Sequence, residues 1–241
     1  MYRQGDFTQG LLSARIGPNV PMTGESLAAA IRALEASHSL PVSLAACPLM
    51  HGTGLWLGVF FAHLIGGTAV TSRDPHFDPE AVWGLIAKER VNSVAIVGDA
   101  FAKPMLAELR RATAAGTPHD LSLLKQIVSS GVMFSTEVKR GLLEFADLTI
   151  LDTMGSTEGG MGSSVVSRSN PPGETARFMA NPTTKVFNER DEEVKPGSDE
   201  QSAGFEGRVA DRVPQNLGGN GLRNRQRPRP GQHHWRLLVR R

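Results

Sequence analysis

The sequence predicts an α/β protein: a parallel sheet covered by helices on both faces, followed by a small β region and a basic tail. Short apolar runs of strand length alternate with helical segments between residues 23 and 152. These runs have a continuous apolar centre and no polar/apolar alternation, as is typical of parallel strands that are buried on both sides. Polar or glycine residues follow four of the runs, and ligands of such folds bind beyond the carboxyl ends of the strands. We therefore expect a ligand site along one edge of the sheet.

Five segments predict helices because each combines a helix-start signal or a glycine stop with apolar periodicity. The clearest begins at Asp78-Pro79, which supplies an N-cap residue and a proline at the first helical position. Pro104 favours a helix start near Lys103, with Asp99 as the cap of that helix. Ser135 is expected to cap the last helix. The predicted helices span residues 23–36, 55–65, 79–90, about 98 or 103 to 115, and 135–146.

Five apolar runs predict the strands of the sheet, and they span residues 42–47, 68–71, 93–97, 125–129 and 148–152. Polar or glycine loops follow four of these runs. Because parallel strands end at the same edge of a sheet, we expect the four loops to lie close together. They contain His51, Gly98-Asp99, Ser130-Gly131 and residues 155–158.

The segment from Thr153 to Gly160, which follows the last predicted strand, predicts a tight loop rich in Gly, Ser and Thr with one carboxylate. Small residues allow a backbone to approach a bulky ligand, while hydroxyl and N–H groups bind phosphate oxygens. A carboxylate beside them suits a phosphate-bound Mg²⁺. An ordinary surface turn has the same composition, so the residue types alone leave both interpretations open.

Composition excludes several classes of protein. The only cysteine, Cys47, excludes an internal disulfide framework and a Cys-rich zinc site, and its apolar surroundings predict a buried, inert thiol. The most apolar stretch, residues 55–65, is about half as long as a membrane span, and no signal-peptide core is visible. We expect a cytoplasmic protein without a transmembrane segment. No phosphate loop of the P-loop type, no dinucleotide fingerprint, no nucleophile elbow and no HExxH motif is present.

Four segments together resemble the adenylate-forming acyl-CoA synthetases, the AMP-dependent synthetase/ligase superfamily. Residues 153–158, Thr-Met-Gly-Ser-Thr-Glu, resemble the aromatic-Gly-x-Thr-Glu signature of this family. Residues 48–54 are similar to its Pro-Leu-x-His-x-x-Gly segment, and residues 129–132 to its adenine-side Ser-Gly stretch. Residues 192–197 resemble the turn after its small β region. The order and spacing of the segments also agree over most of residues 1–200.

The resemblance implies a two-step reaction with ATP, Mg²⁺ and coenzyme A. A carboxylate, expected to be that of a fatty acid, attacks the α-phosphorus of ATP; a thiol then displaces AMP from the acyl-adenylate. By the motif, Glu158 binds Mg²⁺ and Thr157 holds phosphate, while His51 lies at the mouth of the acyl pocket. A loop-packing role for His51 remains the alternative. The nucleotide-binding residues implied are Ser130, Gly131, Val132, Thr153, Met154, Gly155, Ser156 and Thr157.

The chain also departs from the family pattern. Met154 stands where an aromatic residue usually packs on the adenine. A Ser/Thr/Gly-rich loop ending in Pro-Lys-Gly, a Thr-Gly-Asp segment and the small C-terminal domain are not found. We expect the middle of such an enzyme: a partial nucleotide- and acyl-binding domain over residues 1–163, a small β region over 164–200, and a tail over 201–241 that is disordered or read out of frame.

Two other functions stay open. One is a non-catalytic protein that binds an adenine nucleotide or an acyl-adenylate. The other is a nucleic-acid-associated protein, because the tail has nine Arg against two acidic residues. Only Phe205 and Trp235 could stack on bases there, so nucleic acid is the less expected partner. The sequence predicts no oligomeric state.

Overall fold

A seven-stranded mixed sheet organises the main unit of the protein, which ends at Met179. A computed structural model describes residues 4–16, 23–156, 159–174, 178–180, 184–187, 193–194 and 208–211. The strand order is β2-β1-β3-β4-β5-β6-β7. The strands are β1 (Val42–Ala45), β2 (Thr68–Thr71), β3 (Ser93–Ile96), β4 (Gln126–Ser130), β5 (Thr149–Ser156), β6 (Gly159–Val166) and β7 (Met179–Ala180).

The predicted parallel sheet is confirmed for the first five strands, since β1 pairs in parallel with β2 and β3, β3 with β4, and β4 with β5. The sheet then continues with β6, which is antiparallel to β5. The apolar pattern did not predict β6 because five of its eight residues are glycine or serine.

The first helix, α1 (Gln4–Ile16), was not predicted. The other helical segments lie close to their predicted positions and are α2 (Gly24–Ala36), a π-helical segment (Thr53–Phe60) that continues into α3 (Phe61–Leu64), α4 (Pro79–Lys88), α5 (Gly98–Ala114) and α6 (Thr136–Phe145). Side chains cap α2 and α4, and the cap predicted at Asp78 is confirmed. Thr23 and Ser26 exchange hydrogen bonds in a capping box, and the Asp78 carboxylate accepts from the backbone N–H of Glu80 at 3.0 Å.

α5 begins at Gly98, the earlier of the two predicted starts, and contains Pro104. Groups from outside the helix satisfy its first N–H donors: Gly98 N donates to the Ser129 hydroxyl at 3.0 Å, and Asp99 N donates to the Met133 carbonyl at 2.9 Å. The prediction that Asp99 caps α5 is wrong. Its carboxylate instead accepts the N–H and hydroxyl of Ser135, at 2.9 and 3.1 Å, so the Ser135 hydroxyl does not cap α6.

The predicted loop from Thr153 onward also proved to be strand. β5 continues to Ser156 because it pairs with β4 on one side, through Ser130 opposite Thr153, and with β6 on the other. The register shifts between Met154 and Gly155, which marks an irregularity in the ladder. Thr157 and Glu158 lie between β5 and β6, outside the described residues.

Helices cover both faces of the sheet, as predicted. Leu44, Val94, Ile127 and Ile150 stand opposite one another in adjacent strands and belong to the core formed with α4, α5 and α6. One residue further along, Ala45 and Ala95 face the π-helical segment; a Cβ at Gly58 would lie 3.0 and 3.2 Å from their Cβ atoms. A second cluster joins α1, α2 and α3 through Leu12, Phe61 and Ile65 with the apolar stripe of α2.

Cys47, two residues after the end of β1, is buried as predicted. Burial raises the pKa of the Cys47 thiol to about 12, so the reactive thiolate is scarce at neutral pH.

The second unit begins at Ala180 and has a three-stranded antiparallel sheet in the order β10-β8-β9. Its strands are β8 (Thr184–Phe187), β9 (Glu193–Val194) and β10 (Arg208–Asp211). The predicted antiparallel pair, β8 and β9, is confirmed. β10 was not predicted, and the rest of the tail lies outside the described residues. In the described part of the chain, no helix is long and apolar enough to cross a bilayer.

Candidate functional site

The carboxyl ends of four neighbouring strands bring the predicted site residues to one edge of the sheet. β1, β3, β4 and β5 are adjacent and parallel, so the segments that follow β1, β3 and β4 lie at the same edge as the end of β5. This edge therefore contains His51, Gly98, Ser130, Gly131 and Gly155. Thr157 and Glu158 follow β5 in the sequence and lie outside the described residues.

His51 and Gly131 are in direct contact across this edge. A Cβ added at Gly131 would lie 2.8 Å from His51 Cε1, closer than real Cβ atoms come, and 3.1 Å from Nε2. Gly131 also has a φ of +102°, a backbone conformation that side chains disfavour. Beside this contact, the buried Thr53 hydroxyl donates to the Ser130 carbonyl at 3.4 Å. The segments after β1 and β4 are thus fastened together at the site.

The hydrogen bonds of His51 determine which of its nitrogens faces the site. The backbone N–H of Thr53 donates to His51 Nδ1 at 3.2 Å. Because Nδ1 accepts this bond, the proton of the neutral imidazole is on Nε2. Nε2 lies on the Gly131 side of the ring, and the side chain is exposed. His51 can therefore present an N–H donor to a ligand at the edge.

The end of β3 is packed closely against the segment after β4. A Cβ at Gly98 would lie 2.5 Å from the Met133 carbonyl oxygen. Asp99 Oδ1 accepts from Ser135, while Lys103 Nζ lies 3.2 Å from Oδ2, a buried oxygen that has no hydrogen bond. The Lys103 ammonium thus compensates the charge of Oδ2 without the alignment of a hydrogen bond. Asp99 joins α5 to α6 and is not directed at a ligand.

The end of β5 presents residues of the predicted signature beside Ser130. Thr153 pairs with Ser130 in the ladder, and its hydroxyl donates to the Ser129 carbonyl at 3.1 Å, so this hydroxyl already has a partner. Met154 is half-buried and Gly155 is exposed. Ser156 ends the strand.

Apolar side chains surround the edge. Val132 and Met133, in the segment after β4, are 49% and 75% exposed, and Leu49 and Met50, in the segment after β1, are 42% and 96% exposed. Exposed apolar residues beside polar backbone groups suit a ligand that has a flat or aliphatic part as well as a polar part.

Sequence reasoning missed a buried ion pair below the site. Lys139 Nζ lies 2.6 Å from Asp152 Oδ2, and the two side chains are 3% and 6% exposed. Burial raises the pKa of Asp152, although the bond from Lys139 acts in the opposite direction. A carboxylate at the end of a predicted buried strand requires a partner, and this signal could have found the pair.

Metal-ligating side chains do not cluster in the described residues: no group of three or more His, Cys, Asp or Glu is arranged to hold an ion there. A magnesium ion bound through substrate phosphates needs only one or two carboxylates. The carboxylate that the sequence predicts for such an ion, Glu158, lies outside the described residues.

Glycine- and hydroxyl-rich segments follow the C-terminal ends of the strands in this open α/β sheet. This arrangement is typical of the class of ligand-binding α/β domains. The family model described as "AMP-binding enzyme" matches residues 19–204, and the chain belongs to this family. The resemblance to adenylate-forming enzymes is thereby confirmed.

Curated relatives with similar sequences are CoA ligases. The chain is 35% identical over 156 residues to the medium/long-chain-fatty-acid–CoA/3-oxocholest-4-en-26-oate–CoA ligase of Mycolicibacterium smegmatis, a match that covers 63% of this chain and 27% of the relative. It is 32% identical over 154 residues to the 3-oxocholest-4-en-26-oate–CoA ligase of Rhodococcus rhodochrous, with the same coverage of the two chains. The chain thus spans about a quarter of the length of the curated relatives it matches.

Solved structures show the same fold. A long-chain fatty-acid–CoA ligase from Archaeoglobus fulgidus matches with a TM-score of 0.51 and 16% identity, over 71% of this chain and 36% of that one. An amide bond synthetase from Marinactinospora thermotolerans matches with a TM-score of 0.52 and 17% identity, over 71% and 34%.

Proposed function

We propose that this chain forms part of an ATP-dependent acid–CoA ligase. In such an enzyme a carboxylate oxygen attacks the α-phosphorus of ATP and pyrophosphate leaves. The coenzyme A thiol then attacks the acyl carbonyl and AMP leaves. The observation that supports this proposal best is the contact of His51 with Gly131, because it joins two of the family segments at the sheet edge where β5 ends. Membership of the AMP-binding enzyme family supports the same chemistry.

His51 is proposed to orient the carboxylate of the acid. Its Nδ1 accepts the Thr53 N–H, so its Nε2–H is free to donate to a carboxylate oxygen. An N–H donor lowers the energy of an anion that approaches a second anion, the triphosphate. The alternative, a histidine that only packs the loop, uses Nδ1 alone and needs no donor at Nε2.

The adenine side is proposed to comprise Ser130, Gly131 and Val132, with Met154 and Gly155 on β5. The absence of a side chain at Gly131 leaves its peptide groups accessible, and Val132 offers an exposed apolar surface for a base. Met154 is half-buried and can cover an aromatic ring with its thioether. Thr153 and Ser156 belong to the same strand end.

Phosphate and magnesium are proposed to bind at Thr157 and Glu158, after the end of β5. A hydroxyl and a carboxylate are suitable ligands for a phosphate and for its hard cation. When bound, Mg²⁺ neutralises phosphate charge. The residues of this chain position the triphosphate beside His51, because Ser130 pairs with Thr153 next to the His51–Gly131 contact.

The substrate is proposed to be a hydrophobic carboxylic acid, such as a fatty acid or the side-chain acid of a sterol. The names of the curated relatives support this class. The π-helical segment that follows His51 is strongly apolar, and its Trp56 and Phe60 rings pack edge-on against Phe7, with centroids 5.2 and 6.2 Å apart. A core helix would have the same composition, so the acid must be tested directly.

Two measurements on the purified chain test the proposal. Exchange of labelled pyrophosphate into ATP is expected with medium- and long-chain fatty acids and Mg²⁺, and not with the corresponding alcohols. Titration with a non-hydrolysable acyl-adenylate mimic is expected to give saturable binding. Binding without exchange would favour the non-catalytic alternative, and a folded chain that shows neither would contradict the proposed function.

A further inference from the structure

The ion pair between Lys139 and Asp152 has no part in the proposed chemistry. Removing two charges from water costs several kcal/mol per ion, and replacing such a pair by apolar residues of similar size often leaves stability unchanged or increases it. The two side chains are only 3% and 6% exposed, so water offsets little of this desolvation cost. Stability is therefore an insufficient reason for its presence.

Lys139 contacts the two segments that are proposed to bind the nucleotide. Through Asp152 it holds β5 immediately before Thr153, Met154 and Gly155. Its ammonium group also lies 5.1 Å from the centre of the Phe134 ring, which is buried in the segment after Ser130 and Gly131. One cation thus connects the end of β5 to the segment after β4.

The first turn of α6 extends this connection to β3. Ser135 and Lys139 are four residues apart, hence on the same side of the helix, and Lys139 N donates to the Ser135 carbonyl at 3.0 Å. Ser135 donates both its N–H and its hydroxyl to Asp99, in the first turn of α5. The beginning of α6 therefore links the carboxyl ends of three adjacent strands.

We propose that Lys139 is a positioning residue for the nucleotide site: its bond to Asp152 and its contact with Phe134 fix the end of β5 relative to the segment after β4. Lys139 touches no substrate and acts only through these neighbours. The proposal rests on the proposed function for the identity of the ligand, but the geometry it describes is independent of the ligand.

The test is the double variant Lys139→Met/Asp152→Leu, which keeps the approximate shape of both side chains and removes both charges. Arg111→Met is the matched control, because it removes the cation of another ion pair, with Glu108 on α5. Three quantities are compared: the urea midpoint, the dissociation constant of the acyl-adenylate mimic, and hydrogen exchange in residues 129–135 and 152–156.

The double variant is expected to keep or raise its urea midpoint and to bind the mimic roughly tenfold to a hundredfold more weakly, as when other supporting residues are removed. Amides in both segments should exchange faster, whereas Arg111→Met should leave them and the binding constant unchanged. Unchanged exchange and affinity in the double variant would overturn the proposal. So would a loss of affinity that only parallels a lower urea midpoint, because that would show a structural role.

Failure of the proposed function gives a different result. A folded wild-type chain that does not bind the mimic would refute the proposed ligand. Faster amide exchange confined to the two segments in the double variant would still support positioning by Lys139. If amide exchange in the double variant became faster by a similar factor across the whole sheet, positioning by Lys139 would be refuted as well.

Discussion

The imidazole of His51 occupies the space in which a side chain of residue 131 would lie: a Cβ on Gly131 would be 2.8 Å from Cε1. The two residues belong to segments that follow different strands, β1 and β4, which are separated in the sheet by β3. Their contact links the proposed acyl and nucleotide sides of the site.

Gly131→Ala is expected to displace His51 and to abolish most pyrophosphate exchange. The substitution also places alanine at a φ of +102°, which costs about 1–2 kcal/mol of folding free energy. Urea unfolding and the exchange rate measure the two effects separately.

Gly116→Ala is the matched control for that variant. Gly116 also has a positive φ, +74°, but a Cβ there would meet nothing within 4 Å. It should lose a comparable amount of stability and keep its exchange activity. If both alanine variants lost activity in proportion to stability, the contact with His51 would have no special importance.

His51→Asn is expected to lower pyrophosphate exchange about a hundredfold, the usual effect of losing one donor to a developing anion. The Asn side-chain oxygen can still accept the Thr53 N–H, as Nδ1 does at 3.2 Å, but nothing replaces the Nε2–H. Because His51 is exposed, the free energy of unfolding should change by only about 0.5 kcal/mol.

His51→Gln separates the proposed role from loop packing. The Gln amide can place a donor near the former Nε2, so part of the exchange rate should return. A loop-packing histidine predicts the opposite order, with Asn better tolerated than Gln, since only Asn preserves the bond to Thr53.

The strands of the parallel sheet could be predicted because each is a continuous apolar run, and β2 was predicted with its observed bounds. Helix starts were predictable where a single side chain caps its own helix, as Asp78 does for α4. The sequence left two starts open for α5, Gly98 and Lys103, because the groups that satisfy its first N–H donors lie elsewhere in the chain. The first N–H of α5 donates to Ser129, which lies 31 residues further along the chain, and no local pattern contains this information.

The site itself was predictable from residue types and order, but its internal bonds were not. The composition of residues 153–156 indicates a loop, yet pairing with β4 and β6 makes these residues strand. Tertiary pairing thus overrides local propensity there. The ion pair of Asp152 with Lys139 depends on the packing of α6 against β5, which a local pattern cannot fix.

Glu158→Gln is expected to abolish magnesium-dependent exchange while leaving the urea midpoint unchanged. The substitution removes the charge that suits Mg²⁺ and preserves the volume of the side chain. Glu144→Gln is the control, because Glu144 is an exposed acid on α6 that has no part in the proposed site. Full exchange by the Glu158 variant would refute the assignment of Glu158 as the magnesium ligand.

Glu108→Gln is expected to reduce stability at neutral pH but not in strong acid. Two hydrogen bonds from Arg111, at 2.6 and 2.8 Å, and one contact with His119 at 3.0 Å lower the pKa of Glu108 to about 2 from its ordinary value of 4.5. A carboxyl group with a lowered folded-state pKa stabilises the protein above its unfolded-state value, and this contribution disappears as the pH falls from about 4.5 towards about 2. The difference in free energy of unfolding between wild type and Glu108→Gln should therefore shrink in that pH interval. Urea unfolding at successive pH values measures it.

Comparison with the variant isolates Glu108 from the other acids. Burial raises the pKa of Asp152, so its contribution has the opposite pH dependence, but it is common to wild type and variant and cancels in the difference. Glu80→Gln is the control, because Glu80 also lies near Arg111, at 3.3 Å, but its side chain is 69% exposed and exposed ion pairs contribute little. Two results would contradict the assigned role of the Glu108 carboxylate. One is an equal loss of stability in Glu108→Gln and Glu80→Gln. The other is a stability difference between wild type and Glu108→Gln that does not shrink in acid.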